Sequence, residues 1–186
     1  MFLKKLDIVS EVSKIITELE TILTINPWTE SNQIGIKHRP GAINQWSDAV
    51  GSLNDPDTKT RLRNEVDFTE WTVDNTWYVR QQIHELENNL GIATGRVRFM
   101  NLPPRKGLSV HRDSEVRYHL VLKTNTKSFM SLSSDVNVEH PSDLPVTALC
   151  FNMPQDGHWW RVDTRRTHWV YNGGDTNRIH LVVCGV

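Results

Sequence analysis

The sequence predicts a mainly β domain, a sandwich or jelly roll with flanking helices, and three observations carry that expectation. From Gly95 onward apolar residues alternate with a period of two, in short runs separated by Pro, Gly, Asn and Asp clusters. Eight such strands in about 90 residues suggest a sandwich or jelly roll. Helical spacing is confined to two stretches before Gly95, so helices are expected to flank one sheet. The 186 residues read as a single domain, with 1–92 a helical and irregular flanking part and 93–186 the jelly-roll core that would carry the functional site.

Residues 3–25 read as one helix, because Leu6, Val9, Val12, Ile15, Ile16, Leu19, Ile22 and Leu23 recur at spacings of three and four. Asn26-Pro27 ends it. From Trp28 to about Asp74 the text is irregular, with turn signals at 39–41 (RPG) and 54–57 (NDPD) and a strand candidate at 32–38 (NQIGIKH). A second helix is expected from about Asp74 to Asn89, stopped by Gly91. The eight strand candidates then follow at 97–102, 108–113, 117–124, 128–133, 146–153, 157–163, 167–172 and 178–186.

Composition narrows the function. The formal net charge is −1, which gives no global attraction to nucleic acid or to an anionic membrane. No apolar run is long enough to span a bilayer, and the opening MFLKKLDIVS lacks the apolar run of a signal peptide. Cys150 and Cys184 both fall in strand-like runs without CxxC spacing, and are expected to be reduced core residues in a cytoplasmic compartment.

The strands themselves are unusual. In 117–122 (RYHLVL), Arg117, His119 and Val121 share one face and Tyr118, Leu120 and Leu122 the other. In 178–183 (RIHLVV), Arg178, His180 and Val182 oppose Ile179, Leu181 and Val183. Each strand has one apolar face and one face holding Arg and His, and an inward polar face is costly unless it is paired or used. Just upstream, His111 and Asp113 are two apart, so both point one way, ~6.6 Å apart along an extended chain. With His168 from a later strand they make two His and one carboxylate, the set that leaves open positions in non-haem Fe(II) oxygenases. HxD alone is a weak motif. The order HxD, His168 and, ten residues on, Arg178 is more specific, because an Arg there can hold a carboxylate by two parallel hydrogen bonds. The HRD of 111–113 also matches a kinase catalytic loop, but the required Asn, Gly-rich loop and DFG are missing.

HRD, then RYHLVL, then THWVYNGGDTNRIHLVV resembles the aspartyl/asparaginyl β-hydroxylase-like family of Fe(II)/2-oxoglutarate oxygenases over roughly residues 95–186. The resemblance implies a double-stranded β-helix, a cupin-like jelly roll, and a dioxygenase that uses Fe(II), 2-oxoglutarate and O2 to hydroxylate an unactivated C–H. It implies His111, Asp113 and His168 as catalytic metal ligands and Arg178 as anchor of the distal carboxylate of 2-oxoglutarate. Arg117 and His119 match the family's R-x-H strand, which helps bind the cosubstrate's other end or the substrate. Mammalian members lack the carboxylate ligand, whereas Asp113 is present here. In this the chain is similar to small stand-alone members, some of which hydroxylate free amino acids such as proline.

A small-molecule or peptide substrate is therefore expected, with a non-catalytic metal-binding jelly roll and a zinc-dependent hydrolase as the competing readings. Trp160 and Arg105 are candidate substrate contacts. Trp159 and Trp160 are adjacent, so one faces in and one out. His38, His84, His140 and His158 are expected on loops or the surface, and His180 is assigned to structure.

Overall fold

The structure, a computed structural model, describes residues 2–55, 57–72, 77–133 and 148–186. Along the chain run β1 (Leu3–Val9), α1 (Val12–Ile25), β2 (Gln33–Gly35), β3 (Lys37–His38), α2 (Gln45–Asp48), β4 (Glu70–Trp71) and α3 (Trp77–Leu90). Then come β5 (Thr94–Leu102), β6 (Lys106–His111), β7 (Arg117–Lys123), β8 (Ser128–Leu132), β9 (Leu149–Phe151), β10 (His158–Val162), β11 (His168–Asn172) and β12 (Arg178–Gly185). The eight expected strands thus correspond to β5 to β12, though residues 146 and 147 of the fifth candidate lie outside the described residues, as do 74–76 at the expected start of the second helix. Gly91, at φ 62°, stops α3 as its position after the last turn requires.

One expectation fails at the start. Residues 3–25 are not one helix but a strand and a helix. Within Leu3–Val9 the buried residues are Leu6 and Ile8, a period of two hidden inside an apparent three-four pattern. That stretch pairs antiparallel with β10, from Leu3 opposite Val162 to Val9 opposite His158, and so gives the edge of a sheet the partner it needs. The helical spacing is real only from Val12, where Ile15, Leu19 and Ile22 form the buried stripe of α1.

The chain divides into two compact units. The first comprises Met1–Val9 and Asn101–His180. It holds one sheet in the order β1-β10-β7, followed by the opening residues of β12, and a second sheet in the order β6-β11-β8-β9. Val121 and Val162 from the first sheet meet Met130, Leu132 and Val170 from the second in one buried cluster, with Leu102 and Met153. Two antiparallel sheets packed face to face around that cluster make the jelly-roll core.

The second unit comprises Ser10–Met100 and Leu181–Val186. Here β5 pairs with β2, and α1 packs on α3. The Glu18 carboxylate of α1 accepts the backbone N–H groups of Tyr78 and Val79, at 2.6 and 3.0 Å, which satisfies the free donors at the start of α3. Arg96 forms a two-point buried ion pair with Glu65, each bond 2.8 Å. Gly95 is required beside it, since a Cβ there would overlap the Glu65 carbonyl.

His38 departs from its expected surface position. It is buried in β3, and its Nδ1 donates to the Arg39 carbonyl at 2.9 Å. His84 is exposed on α3, and His140 lies outside the described residues. Both cysteines are free, but only Cys184 is in the core; Cys150 is exposed, because β9 is the edge strand of the smaller sheet. No described helix is long and apolar enough to cross a membrane.

Candidate metal centre

His111 ends β6 and His168 begins β11, and antiparallel pairing sets the two residues opposite one another. Their ring centroids are 4.2 Å apart. The register shifts between His168 and Val170, a bulge that re-aims the strand end beside the site. Each ring is oriented by its own backbone: His111 Nδ1 donates to the Ser109 carbonyl at 2.6 Å, and His168 Nδ1 to the Arg166 carbonyl at 2.9 Å. With Nδ1 occupied, Nε2 of both rings is left as a lone-pair donor, the tautomer a metal ligand needs.

Asp113 lies two residues past the end of β6. Its N–H donates to the Thr164 carbonyl at 2.9 Å, which ties the turn to the loop before β11. Its Oδ2 accepts from Arg117 Nε at 3.0 Å and lies 3.8 Å from His168 Nε2. The ligand atoms of His111, Asp113 and His168 all lie within 4.8 Å of one another. Two imidazole nitrogens and one carboxylate oxygen at that spacing fit a single divalent ion with positions left open.

The electrostatics favour the deprotonated set. Burial alone would raise the Asp113 carboxyl, but Arg117, His168 and His111 outweigh it and hold the group well below the usual carboxylate range. Burial, helped by the neighbouring His111, lowers His168 to about 4, so its ring is neutral near pH 7. An ionised carboxylate and a neutral imidazole do not have to shed protons before a metal binds.

Beside these three lies the inward face of the larger sheet. Arg117 stands opposite Val162 and His119 opposite Trp160, and Val162, Trp160 and Val121 all face the core cluster. This settles the tryptophan pair: Trp160 faces in, and Trp159, fully buried opposite Leu120, faces the other way. Arg178 and His180, the first and third residues of β12, complete the face. Arg178 is only 6% exposed, and burial lowers it to about 9. Among the described residues no carboxylate pairs with it; its guanidinium instead approaches His180 Nδ1, at 3.3 Å. His119 Nε2, His180 Nε2 and Trp160 Nε1 are buried without hydrogen-bond partners. A buried cation with no described carboxylate partner, beside polar atoms with unused hydrogen-bonding capacity, could hold an anionic ligand.

The fold thus brings His111, Asp113, His168 and Arg117 into one cluster, with His119, Arg178 and Trp160 on the adjoining face. Arg105 is elsewhere in kind: it sits in the β5–β6 loop with φ 57°, and forms an exposed ion pair with Asp175 at 2.9 Å. Two further residues support the site. His180, which the sequence places on the face of Arg178 and assigns to structure, touches both Arg178 and His119. Asn172, fully buried at the end of β11, donates to the carbonyls of Leu102 (2.9 Å), Pro103 (3.2 Å) and Thr176 (2.8 Å). It also accepts from Asn125, Ser128 and Gly174, and so fixes the turn that delivers Arg178. Asn followed by two glycines signals a turn, but nothing in the text signals six bonds.

The family model described as Aspartyl/Asparaginyl beta-hydroxylase matches residues 13–185 of the chain. Among solved structures, AviO1 from Streptomyces viridochromogenes Tue57 is similar at a TM-score of 0.59 and 10% identity, covering 99% of this chain and 89% of that one. A prolyl-4-hydroxylase from Pseudomonas putida is similar at a TM-score of 0.52 and 12% identity, covering 99% and 91%. An oxidoreductase of the 2OG-Fe(II) oxygenase family from Burkholderia pseudomallei is similar at 0.47 and 12%, and there the match spans 62% of this chain and 58% of that one. At these identities the likeness is one of fold. No curated protein sequence matches the chain.

Proposed function

The chain belongs to the aspartyl/asparaginyl β-hydroxylase family, and from that premise we propose that it is an Fe(II)/2-oxoglutarate-dependent dioxygenase acting on an amino acid or peptide side chain of Asp, Asn or Pro type. The reaction would hydroxylate an unactivated C–H and release succinate and CO2. That the chain is an oxygenase follows from its family; the cosubstrate, the residue roles and the substrate class are our reading.

One observation carries it: the His111, Asp113, His168 set lies in the same unit as a buried Arg178 that no described carboxylate neutralises. His111, Asp113 and His168 would hold Fe(II), and Arg178 the distal carboxylate of 2-oxoglutarate. When bound, iron and cosubstrate supply the oxidising chemistry, coupling oxidative decarboxylation to insertion of one oxygen atom into the C–H bond. The protein's own part is preparation. Ser109 and Arg166 carbonyls hold the two rings by Nδ1. Arg117 keeps the Asp113 carboxylate ionised and fixes its orientation. Core side chains such as Val121, Val162 and Trp160 give the inward face that carries Arg117 and His119 an apolar border. A zinc hydrolase would leave Arg178 as an unexplained buried charge, so we rank it lower.

The test is succinate release by the Fe(II)-loaded protein against a panel of free amino acids and short peptides containing Asp, Asn or Pro. Substrate-dependent succinate that vanishes in His111→Ala supports the proposal. Tight metal binding with no turnover across the panel would favour a binding module.

A further inference from the structure

Among buried groups that the metal set does not use, three side chains form a line: Arg178, His180 and His119. His180 Nδ1 lies 3.3 Å from an Arg178 nitrogen and 3.4 Å from His119 Nδ1. The two rings meet edge to face, with centroids 5.6 Å apart and planes at 80°. All three residues are buried, with exposures of 6%, 1% and 7% respectively. The outer nitrogens, His180 Nε2 and His119 Nε2, have no partner.

A guanidinium only donates hydrogen bonds, so the His180 nitrogen facing it must be an acceptor. A neutral ring with an accepting Nδ1 carries its proton on Nε2. The same Nδ1 faces His119 Nδ1, and two acceptors at that distance would repel. His119 must therefore donate, which puts its single proton on Nδ1 and leaves Nε2 as a bare lone pair. Each tautomer follows from the one before, and the sequence starts at a group with no freedom to choose.

We propose that His180 is a positioning residue for the anion site, one that fixes the rotation of the Arg178 guanidinium and sets His119 to present an accepting Nε2. Both rings are neutral in this arrangement. Burial, with the charge of Arg178 acting next, pushes both well below the ordinary histidine range, in agreement. A carboxylate placed against Arg178 is then held by a guanidinium whose rotation His180 has fixed, and the His119 Nε2 lone pair is free to accept a hydroxyl or N–H. The role of the anion as 2-oxoglutarate rests on the function proposed above; the tautomer assignment does not.

The experiment has two arms. In the first, long-range proton–nitrogen correlation spectra of the imidazoles are recorded on the uniformly 15N-labelled, metal-free full chain between pH 6.5 and 8, with His119→Asn and His180→Asn variants giving the assignments. The expected result is two neutral rings of opposite tautomer, His119 protonated on Nδ1 and His180 on Nε2. The same tautomer on both, or a proton on His180 Nδ1, would overturn the inference and leave the oxygenase reading intact. In the second arm, 2-oxoglutarate KM and kcat are compared for His180→Leu and His180→Asn, the latter keeping an acceptor near the Nδ1 position. The expected result is a KM raised about tenfold or more in His180→Leu, a smaller fall in kcat, and substantial recovery of KM in His180→Asn. Equal KM values for both variants and the wild type would refute the positioning role. Wild-type protein that shows the expected tautomers but never consumes 2-oxoglutarate would refute the function, with the tautomer assignment standing.

Discussion

Replacing Arg178 by Met should make the ligand-free protein more stable and remove most of the stabilisation that 2-oxoglutarate gives. Arg178 is 6% exposed, and burial lowers it from its ordinary value by several units, to about 9. At about 1.4 kcal/mol per pKa unit, that corresponds to a penalty of roughly 5 kcal/mol on the charged form, an upper bound because a buried site relaxes and admits water. Methionine has nearly the volume and none of the charge, and replacing buried charges by apolar residues of similar size is commonly stabilising by about 1–4 kcal/mol. We expect a gain of about 2 kcal/mol in urea unfolding of the apo protein, or about 6 °C in Tm for a chain of this length. The cost falls on binding. Losing a charge-assisted, two-point contact to carboxylate should weaken 2-oxoglutarate by about 3 kcal/mol, on the order of a hundredfold in Kd. Wild-type protein loaded with Mn(II) should thus gain about 2.7 kcal/mol of stability at 2-oxoglutarate a hundredfold above its Kd, and Arg178→Met almost none at that concentration. Unfolding curves of both proteins, with and without metal and 2-oxoglutarate, decide it. An apo Arg178→Met protein less stable than wild type by more than about 1 kcal/mol would mean that the charge is already compensated, and the reasoning would fail.

Other expectations follow from the same geometry. His168 is lowered from 6.5 to about 4, so the unfolded chain binds the extra proton first; metal-free stability present above pH 6.5 is lost as pH falls toward 4, by up to about 3 kcal/mol. In His168→Gln that slope should flatten in part, since His119 and His180 are lowered too and remain; urea titrations at half-unit pH steps would show an unchanged slope if His168 were not buried neutral. Asn172→Ala should cost about 3 kcal/mol by stranding buried carbonyls and donors, and should also raise the KM for 2-oxoglutarate by loosening the turn before Arg178. A stability loss with unaltered KM would separate Asn172 from the site. Gly95→Ala forces a Cβ onto the Glu65 carbonyl and should lower stability by about 2 kcal/mol without changing metal affinity, measured by calorimetric titration with Mn(II).

The sequence spoke most clearly where period two and chemistry coincided. His119 and Arg178 stood out because an Arg or His on a strand face that should be apolar demands a reason, and the face assignments of β7 and β12 follow from alternation alone. Register did not, and register is what sets His168 opposite His111 and Trp160 opposite His119. The helical expectation for 3–9 fails for the same reason. Over seven residues Leu3, Leu6 and Val9 recur at three while Leu6 and Ile8 recur at two, and only the partner strand β10 decides between the periods. His38 and Asn172 were opaque for a different reason: their polar atoms are satisfied by backbone carbonyls distant in sequence or freed by local turns, which no pattern of neighbours encodes. In 26–75, short elements such as β3, β4 and α2 are too brief to establish a period, so the text read as irregular although Arg96 and Glu65 organise it.

The central claim is that one metal and one 2-oxoglutarate share the His111, Asp113, His168 and Arg178 site. Anaerobic addition of 2-oxoglutarate to the Fe(II)-loaded protein, followed by visible absorption, tests it most directly. The account predicts the charge-transfer band of an Fe(II)–2-oxo acid chelate, abolished in Asp113→Ala and shifted to much higher 2-oxoglutarate concentration in Arg178→Met. Fe(II) bound with no band at any concentration of 2-oxoglutarate, or a band of equal strength in Asp113→Ala, would contradict it.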